Sequence, residues 1–266
     1  MVVRRNERRE SRVAVLAELE CKVCPSDENI PHVWWIPTEA LSHFPIHADG
    51  HHIKGSKQTV LDREMSSYSS TLRALVHGRR HQGHTIAEQA VLVSMDTTPK
   101  KTPLRQATKE VEMIESFCQA LQLKQIIPAQ RRREDLLSHL GACKIFHFAG
   151  YLSACSTGVS KVSTLVDEGI HLVSALQLAV FRHVIGTLWA VYDDCCPDVA
   201  RVVYEQLRDE MTDIAVCQGL HRAIKSLRDN YISKLADSRD GNRINKANSI
   251  AVQKPLYWVP FVHFGV

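Results

Sequence analysis

The chain has 266 residues, enough for one large α/β domain or two small ones. Hydrophobic residues make up 44% and charged residues 23%, the proportions of a soluble protein with a sizeable core. No apolar run approaches the roughly 20 residues that span a bilayer, and Met1–Arg12 is too polar for a secretory signal. We therefore expect a cytoplasmic or nuclear protein that has no membrane partner.

The net charge of +4 is modest, and acidic residues follow closely after the basic clusters Arg4–Arg9 and Arg131–Arg133. Nucleic-acid-binding domains usually have a higher positive charge and concentrate their basic residues on one face. The charge pattern of this chain therefore predicts no nucleic-acid partner. The eight cysteines are scattered along a chain that lacks a secretory signal. This pattern predicts reduced thiols and not a disulfide framework.

Predicted strands alternate with predicted helices after a first stretch, residues 1–32, that shows no clear periodicity. Short apolar runs predict strands at Val33–Ile36, Ala90–Met95, Lys144–Phe148, Tyr151–Ala154, Val184–Trp189 and Leu256–Phe264. Helical spacing predicts helices at Ser69–His77, Ala107–Leu123, Glu134–Leu140, Leu172–Ala179, Val199–Leu207 and Val216–Leu227, the last capped by Thr212 or Asp213. The polar stretch Ser233–Gln253 predicts a loop. This alternation implies an α/β fold whose mostly parallel sheet carries helices on both faces.

Cys155 is the sharpest chemical feature, because it ends an apolar strand and is followed by the tight turn Ser156–Gly158. Ligands gather beyond the carboxyl ends of strands in open α/β sheets. A thiol there can reach a substrate, and turn amides can stabilise an oxyanion. Such a thiol needs an activating histidine. By spacing alone, a buried structural cysteine is the commoner interpretation.

A longer pattern surrounds this cysteine. It consists of Ser153–Gly158, Val166–Ala179 and His183–Trp189, and it continues in Trp34–Thr38, Phe44–Ala48, Met65–Ser70, Ile145–Gly150 and Leu256–Phe261. These ordered motifs resemble those of fungal CHAT domains, a family related to caspases and separases. The resemblance covers nearly all of residues 33–266. It implies one caspase-like α/β domain there, after the poorly defined segment 1–32.

The resemblance implies a cysteine peptidase with Cys155 as nucleophile, a protein or peptide as substrate or binding partner, and no cofactor. It also implies a His-Gly pair as general base, directly after the run His147–Gly150. Here Tyr151 follows Gly150 and already belongs to the cysteine strand. The His-Gly pair and several tens of residues are missing, so the domain is incomplete between 150 and 151. His147 matches a family histidine inside the strand, which is not the catalytic one.

Chain geometry also argues for a missing segment at this junction. Neighbouring parallel strands need a crossover of about a dozen residues or more, yet two residues separate Lys144–Phe148 from Tyr151–Ala154. The two runs must fuse, or one must leave the sheet. A gene-model or splicing defect is the simplest explanation. We therefore expect a caspase-like protein that is inactive as written. The alternatives are an active peptidase with a substitute histidine and a non-catalytic interaction module (a pseudo-enzyme).

Two further sets of residues are candidates for the site. His147 is a substitute base only if the chain bends sharply at Gly150, because eight extended residues place it about 26 Å from Cys155. Asp193 and Asp194 follow a predicted strand and are weak candidates for substrate binding, with exposed loop acids as the alternative.

Other binding chemistry finds little support in the sequence. Cys21 and Cys24 have the spacing of a zinc half-site, but no second pair with comparable spacing is evident, so we expect no metal site. No phosphate-binding glycine loop of a common type occurs, which argues against an NTPase.

Overall fold

The computed structural model describes residues 30–38, 41, 44–80, 87–98, 101–128, 133–151, 181–189, 191–240 and 256–266. Within these ranges the strands are β1 His32–Trp35, β2 Met65–Tyr68, β3 Ala87–Ser94, β4 Lys124–Ile126, β5 Cys143–Ala149, β6 His183–Thr187 and β7 Phe261–Gly265. The helices are α1 Val60–Arg63, α2 Leu72–Arg80, α3 Ala107–Ala120, α4 Arg133–Leu140, α5 Cys196–Asp209 and α6 Asp213–Asp240.

The strands form two sheets, one with the order β1-β2-β7-β6 and one with the order β4-β3-β5. Each neighbouring pair is parallel except β6 and β7, which are antiparallel. Helices flank both sheets, so the predicted α/β fold with mostly parallel strands is confirmed. None of the described helices has both the length and the apolar character needed to cross a membrane.

The three-stranded sheet is built around β3. Its residues Ala90–Val93 are almost completely buried, as expected for a parallel strand that is covered on both faces. Ala90 and Leu92 pack against the apolar stripe of α3, which includes Ile114 and Cys118. Val91 and Val93 point to the other face, where they pack with Cys143 and with aromatic side chains of β5. The period of two along the strand therefore divides its side chains between two cores.

Helix α5 joins the two sheets. Val199, Val203 and Leu207 pack into the core beneath the four-stranded sheet. Ala200 and Tyr204 lie on an adjacent stripe of the same helix and pack into the core beneath the three-stranded sheet. One helix with two apolar stripes thus holds both sheets in a common structure.

Helix α6 was predicted, but it is longer than expected. Thr212 Oγ1 accepts a hydrogen bond from the amide of Ala215 at 3.3 Å, so Thr212 is the predicted cap. The helix continues to Asp240, and the loop predicted for Ser233–Gln253 is therefore wrong over its first eight residues, 233–240. Residues such as lysine, leucine, alanine and arginine sustain a helix without an apolar stripe. Residues 241–253 lie outside the described ranges.

The sequence missed some short elements and placed one strand too early. Strand β2 reads Met-Ser-Ser-Tyr and lacks an apolar run, yet it pairs with both β1 and β7. Strand β4 is three residues long and helix α1 is four residues long, and both are too short for a periodic signal. The strand predicted at Leu256–Phe264 begins only at Phe261, because residues 257–260 form turns.

A buried ion pair connects α1 to α6. Arg228 donates to Asp62 Oδ1 at 2.7 Å and to Thr59 Oγ1 at 3.0 Å, and the Thr59 hydroxyl donates to Asp62 Oδ2 at 2.6 Å. The charged side chains are only 5% and 8% exposed. Thr59 also caps α1 by accepting from the Asp62 amide at 3.2 Å. Two opposite charges therefore satisfy each other in the core through a closed set of hydrogen bonds.

Arg228→Ala is expected to lower the free energy of unfolding by about 3 to 5 kcal/mol, because it leaves the Asp62 carboxylate buried without its cation. Urea titration followed by tryptophan fluorescence measures the change. The matched control is Asp229→Ala, which removes the exposed partner of the same arginine and should cost less than about 1 kcal/mol. Equal losses in the two variants would contradict this assignment.

Candidate functional site

The sequence predicts that the reaction centre lies at the carboxyl end of β5. The strand stops at Ala149, and Gly150 makes a bend in tight contact with its neighbours. A side-chain carbon at Gly150 would lie 2.8 Å from the Phe148 ring and 2.9 Å from Met95 Cβ, so a larger residue does not fit. Tyr151 is described and is not part of a strand. Residues 152–154 of the predicted cysteine strand, Cys155 itself and the helix predicted at 172–179 lie outside the described ranges.

His147 lies inside β5, opposite Leu92 of β3. Its Nε2 is 3.1 Å from Glu110 Oε1 of α3, and its ring meets the Tyr204 ring of α5 edge-on at 5.9 Å. Glu110 is only 8% exposed. The imidazole therefore lies between the sheet and two helices, beside a carboxylate and an aromatic ring, and its Nε2 makes no hydrogen bond of normal geometry. This is a position within the packed layer of the fold.

Asp193 and Asp194 lie in the short 3-10 turn Asp193–Cys195, between β6 and α5. Asp193 Oδ2 accepts a hydrogen bond of 2.8 Å from the amide of Gln106, immediately before α3. Asp194 is exposed and makes only a long contact of 3.4 Å, from its Oδ1 to Gln106 Nε2. Asp193 thus satisfies a free amide at the positive end of a helix, which is a stabilising role for a carboxylate.

The start of α3 also contacts a second acidic residue, Asp96, which sequence reasoning did not select. Thr108 in the first turn of α3 donates to Asp96 Oδ2 at 2.8 Å. Asp96 follows β3 and Asp193 follows β6, although these strands belong to different sheets. The start of α3 therefore brings together loops that are distant in the sequence. Asp96 could have been found by the same rule that selected Asp193, since it directly follows a predicted strand.

A chain of hydrogen-bonded side chains, which we call the histidine chain, runs through the four-stranded sheet. His32 Nε2 lies 2.6 Å from Ser67 Oγ, and the same oxygen lies 2.6 Å from His263 Nδ1. His263 Nε2 then lies 3.1 Å from His183 Nδ1, and His183 Nε2 lies 2.8 Å from Asp213 Oδ1. The histidine chain therefore ends in a carboxylate, and its members come from four strands and the start of α6.

Burial keeps the imidazoles of the histidine chain neutral. It lowers the pKa of His263 well below its ordinary value, and the neighbouring His183 and His32 lower it further. Burial, with the nearby Arg79 and His183, lowers the pKa of His32 to about 4. Burial also lowers the pKa of His183, although the hydrogen bond to Asp213 acts in the opposite direction. The hydrogen bonds above are thus made by neutral rings with one N–H each.

Cys217 of α6 lies against the middle of the histidine chain. Its Sγ is 3.5 Å from Ser67 Oγ. Burial raises the pKa of this thiol to about 11, and the Ser67 hydrogen bond only partly offsets that effect. Sequence reasoning missed the histidine chain because its members are spread from residue 32 to residue 263. The available signal was the presence of histidine and serine within short strands that are otherwise apolar.

Comparison with protein-family models gives a match to the CHAT domain in two segments, residues 12–150 and 151–266. The two segments together cover nearly the whole chain. The match is divided between Gly150 and Tyr151, at the junction where the sequence places the missing segment. No curated protein matches the chain at a significant level.

Asp193→Ala is expected to lower the free energy of unfolding by about 1 kcal/mol, because the Gln106 amide loses its acceptor. Asp193→Asn keeps an acceptor oxygen and should recover most of that loss. Asp194→Ala is the matched control and should change stability little, since its contact is long and exposed. Urea titration of the three variants tests the assignment, which fails if Asp193→Ala and Asp194→Ala behave alike.

Proposed function

Because the chain belongs to the CHAT domain family, which is related to caspase-like peptidases, we propose that it is a cysteine-peptidase relative without peptidase activity as written. The nucleophile position is kept at Cys155, whereas the segment that carries the general base is missing. The proposed domain comprises residues 33–266, incomplete between 150 and 151, and follows residues 1–32. The observation that carries the proposal is the break at Gly150–Tyr151.

Three independent features support a missing segment at this junction. The family match is divided there. Strand β5 ends at Ala149 and is parallel to β3, so a further parallel neighbour would need a crossover of about a dozen residues or more. Only Gly150 stands between the end of β5 and Tyr151, where the sequence predicts that the next family strand begins. A catalytic histidine at the end of β5 has no position in the chain as it stands.

The surroundings of His147 argue against its use as a substitute base. A general base must come within hydrogen-bond reach of its nucleophile. The Nε2 atom of His147 already faces Glu110 Oε1 at 3.1 Å, and the ring packs against Tyr204. To serve as a base at the strand end, the side chain would have to leave both partners. That movement would also take the imidazole away from the buried Glu110 carboxylate.

A non-catalytic interaction module is the second candidate, and the packing of the described residues favours it. Buried apolar clusters lie against both sheets, and α5 contributes side chains to one cluster at each sheet. The partner of such a module would be a protein, and neither nucleic acid nor a membrane. The module would act in the cytoplasm or the nucleus. A single cooperative thermal transition would favour this candidate over a defective fragment, which should unfold gradually or aggregate.

The purified chain is expected to cleave no member of a peptide library above background, because the segment that would carry the general base for Cys155 is missing from the sequence. Cys155→Ala and His147→Gln should give the same background as the unmodified chain. Mass spectrometry of the products measures cleavage. Activity that disappears in both variants would establish the active peptidase with His147 as base and would overturn the proposal. Activity that survives Cys155→Ala would come from a different nucleophile.

Sequencing of the transcript across the codons for Gly150 and Tyr151 is expected to show additional in-frame sequence that begins with His-Gly. A crossover of at least about a dozen residues must be encoded there if both strands are to join the sheet in parallel. The longer chain would then be the one to assay for peptidase activity. A transcript that confirms the junction as written would leave binding as the function to test.

A further inference from the structure

We propose that His32, Cys217 and His263 form a transition-metal site that takes Zn²⁺. The three side chains each direct one donor atom into a common space, and these donor atoms all lie within 4.8 Å of one another. Cysteine sulfur and histidine nitrogen are the ligands that zinc prefers in proteins. The proposed site is separate from the peptidase ancestry described above and does not depend on it. It also differs from the sequence expectation that the chain has no metal site.

The donor distances are close to those of a zinc site. Two atoms bound to one tetrahedral zinc ion, at about 2.0 to 2.3 Å each, are about 3.3 to 3.8 Å apart. An approach of about 1.5 Å or less therefore brings the three donors to coordination distance. The ligands come from β1, α6 and β7, where β2 lies between β1 and β7 in the sheet and α6 packs against β2 and β7. The site is thus assembled by the tertiary fold and does not follow a local motif.

The groups behind His263 prepare its ring for a metal. Metal-bound histidines usually donate their other N–H to a carboxylate or to another acceptor, which sets the tautomer. Asp213 accepts the proton of His183 Nε2, so His183 Nδ1 is the acceptor for His263 Nε2–H. His263 Nδ1 therefore carries its lone pair towards Ser67 and the proposed site. The carboxylate acts on the ligand through one intervening histidine.

Ser67 marks the centre of the site. Its Oγ lies 2.6 Å from His32 Nε2, 2.6 Å from His263 Nδ1 and 3.5 Å from Cys217 Sγ. One polar atom therefore contacts all three proposed ligands. When the ion binds, the hydroxyl turns away and His263 Nδ1 gives the metal the lone pair that now accepts from Ser67. His32 now donates its Nε2–H to the same oxygen, so it binds the metal through Nε2 once that proton has moved to Nδ1, and the Cys217 thiol releases its proton to solvent. The serine is small enough to allow this change within a close-packed core.

An open groove next to His32 gives access to the site. The groove has a volume of about 270 Å³ and is lined by His32, Trp34, Arg79, Arg182 and Asp213, among others. Arg182 is paired with Asp213, and Arg79 lies over the Trp34 ring at 4.5 Å. The two arginines thus have partners of their own. His32 is the partly exposed ligand, whereas Cys217 and His263 are buried, so the ion enters past His32.

Titration of the full chain with Co²⁺ tests the proposal, because tetrahedral thiolate coordination gives visible d–d bands and near-ultraviolet charge-transfer absorption. One equivalent of Co²⁺ is expected to bind and to be displaced by Zn²⁺. Cys217→Ser should abolish the charge-transfer absorption, and Asp213→Asn should weaken binding by about 10-fold through the tautomer of His263. Absence of these bands in the unmodified chain would overturn the proposal.

Two controls separate this site from the other cysteines. Cys143→Ser replaces a buried cysteine of β5 and should leave cobalt binding unchanged. The double substitution Cys21→Ser and Cys24→Ser removes the Cys-x-x-Cys pair and should also leave it unchanged. If the double variant loses the absorption while Cys217→Ser keeps it, the metal binds at the N-terminal pair and the proposal is wrong.

Ser67→Ala keeps the test decisive if Cys217→Ser fails to fold. This substitution removes the hydroxyl but leaves all three ligands, so Co²⁺ should bind at least as tightly as to the unmodified chain. Zn²⁺ should also raise the melting temperature of Ser67→Ala, since a metal that binds only the folded state stabilises it. Loss of cobalt binding in Ser67→Ala would show that the cluster is a hydrogen-bonded core without a metal function.

Discussion

Parallel strand pairing is the constraint on which the rest of this structure depends. A parallel neighbour can be reached only by a crossover that returns the chain to the starting edge of the sheet. Helix α3 lies between β3 and β4 in the chain, and α4 lies between β4 and β5. After β5 the same requirement meets a junction of one glycine, Gly150, before the strand that the sequence predicts at Tyr151–Ala154. If that predicted strand forms, the proposed functional defect lies at the position where the chain is too short for the crossover that parallel pairing requires.

Polar side chains in the core give the four-stranded sheet a different character from the three-stranded one. The centre of β3 is entirely apolar, whereas β2 contributes the buried Ser67 hydroxyl to the histidine chain. Buried polar groups are costly unless they are hydrogen-bonded, and a partly satisfied network is worse than an apolar core. The neutral imidazoles and the terminal carboxylate of Asp213 meet that condition. The same arrangement brings two histidine nitrogens and one cysteine sulfur close together. The groups that form hydrogen bonds in this polar core are therefore also the ligands of the proposed metal site.

The sequence predicted most of the elements that carry a periodic apolar signal. Strands at β1, β3, β5 and β6 and helices α2 to α6 agree with the structure to within a few residues at most ends, α6 excepted. Strand β2 was missed because Met65–Tyr68 is stabilised by its two neighbours and by buried hydroxyl contacts, which local propensity does not contain. The sequence correctly predicted that Asp193 follows a strand. It could not predict that Asp193 accepts a hydrogen bond from the Gln106 amide, because Gln106 is 87 residues away in the chain.

The sequence by itself determined the family, the α/β class and the break at Gly150–Tyr151, because each depends on the order of residues along the chain. The tertiary structure alone decided which side chains meet. His147 contacts Glu110 and Tyr204, and Arg228 finds Asp62 across 166 residues. His32, Cys217 and His263 converge because parallel pairing and helix packing bring distant segments side by side. Spacing along a chain encodes local periodicity, whereas a site assembled from three elements exists only once loop closure and core packing have placed those elements together.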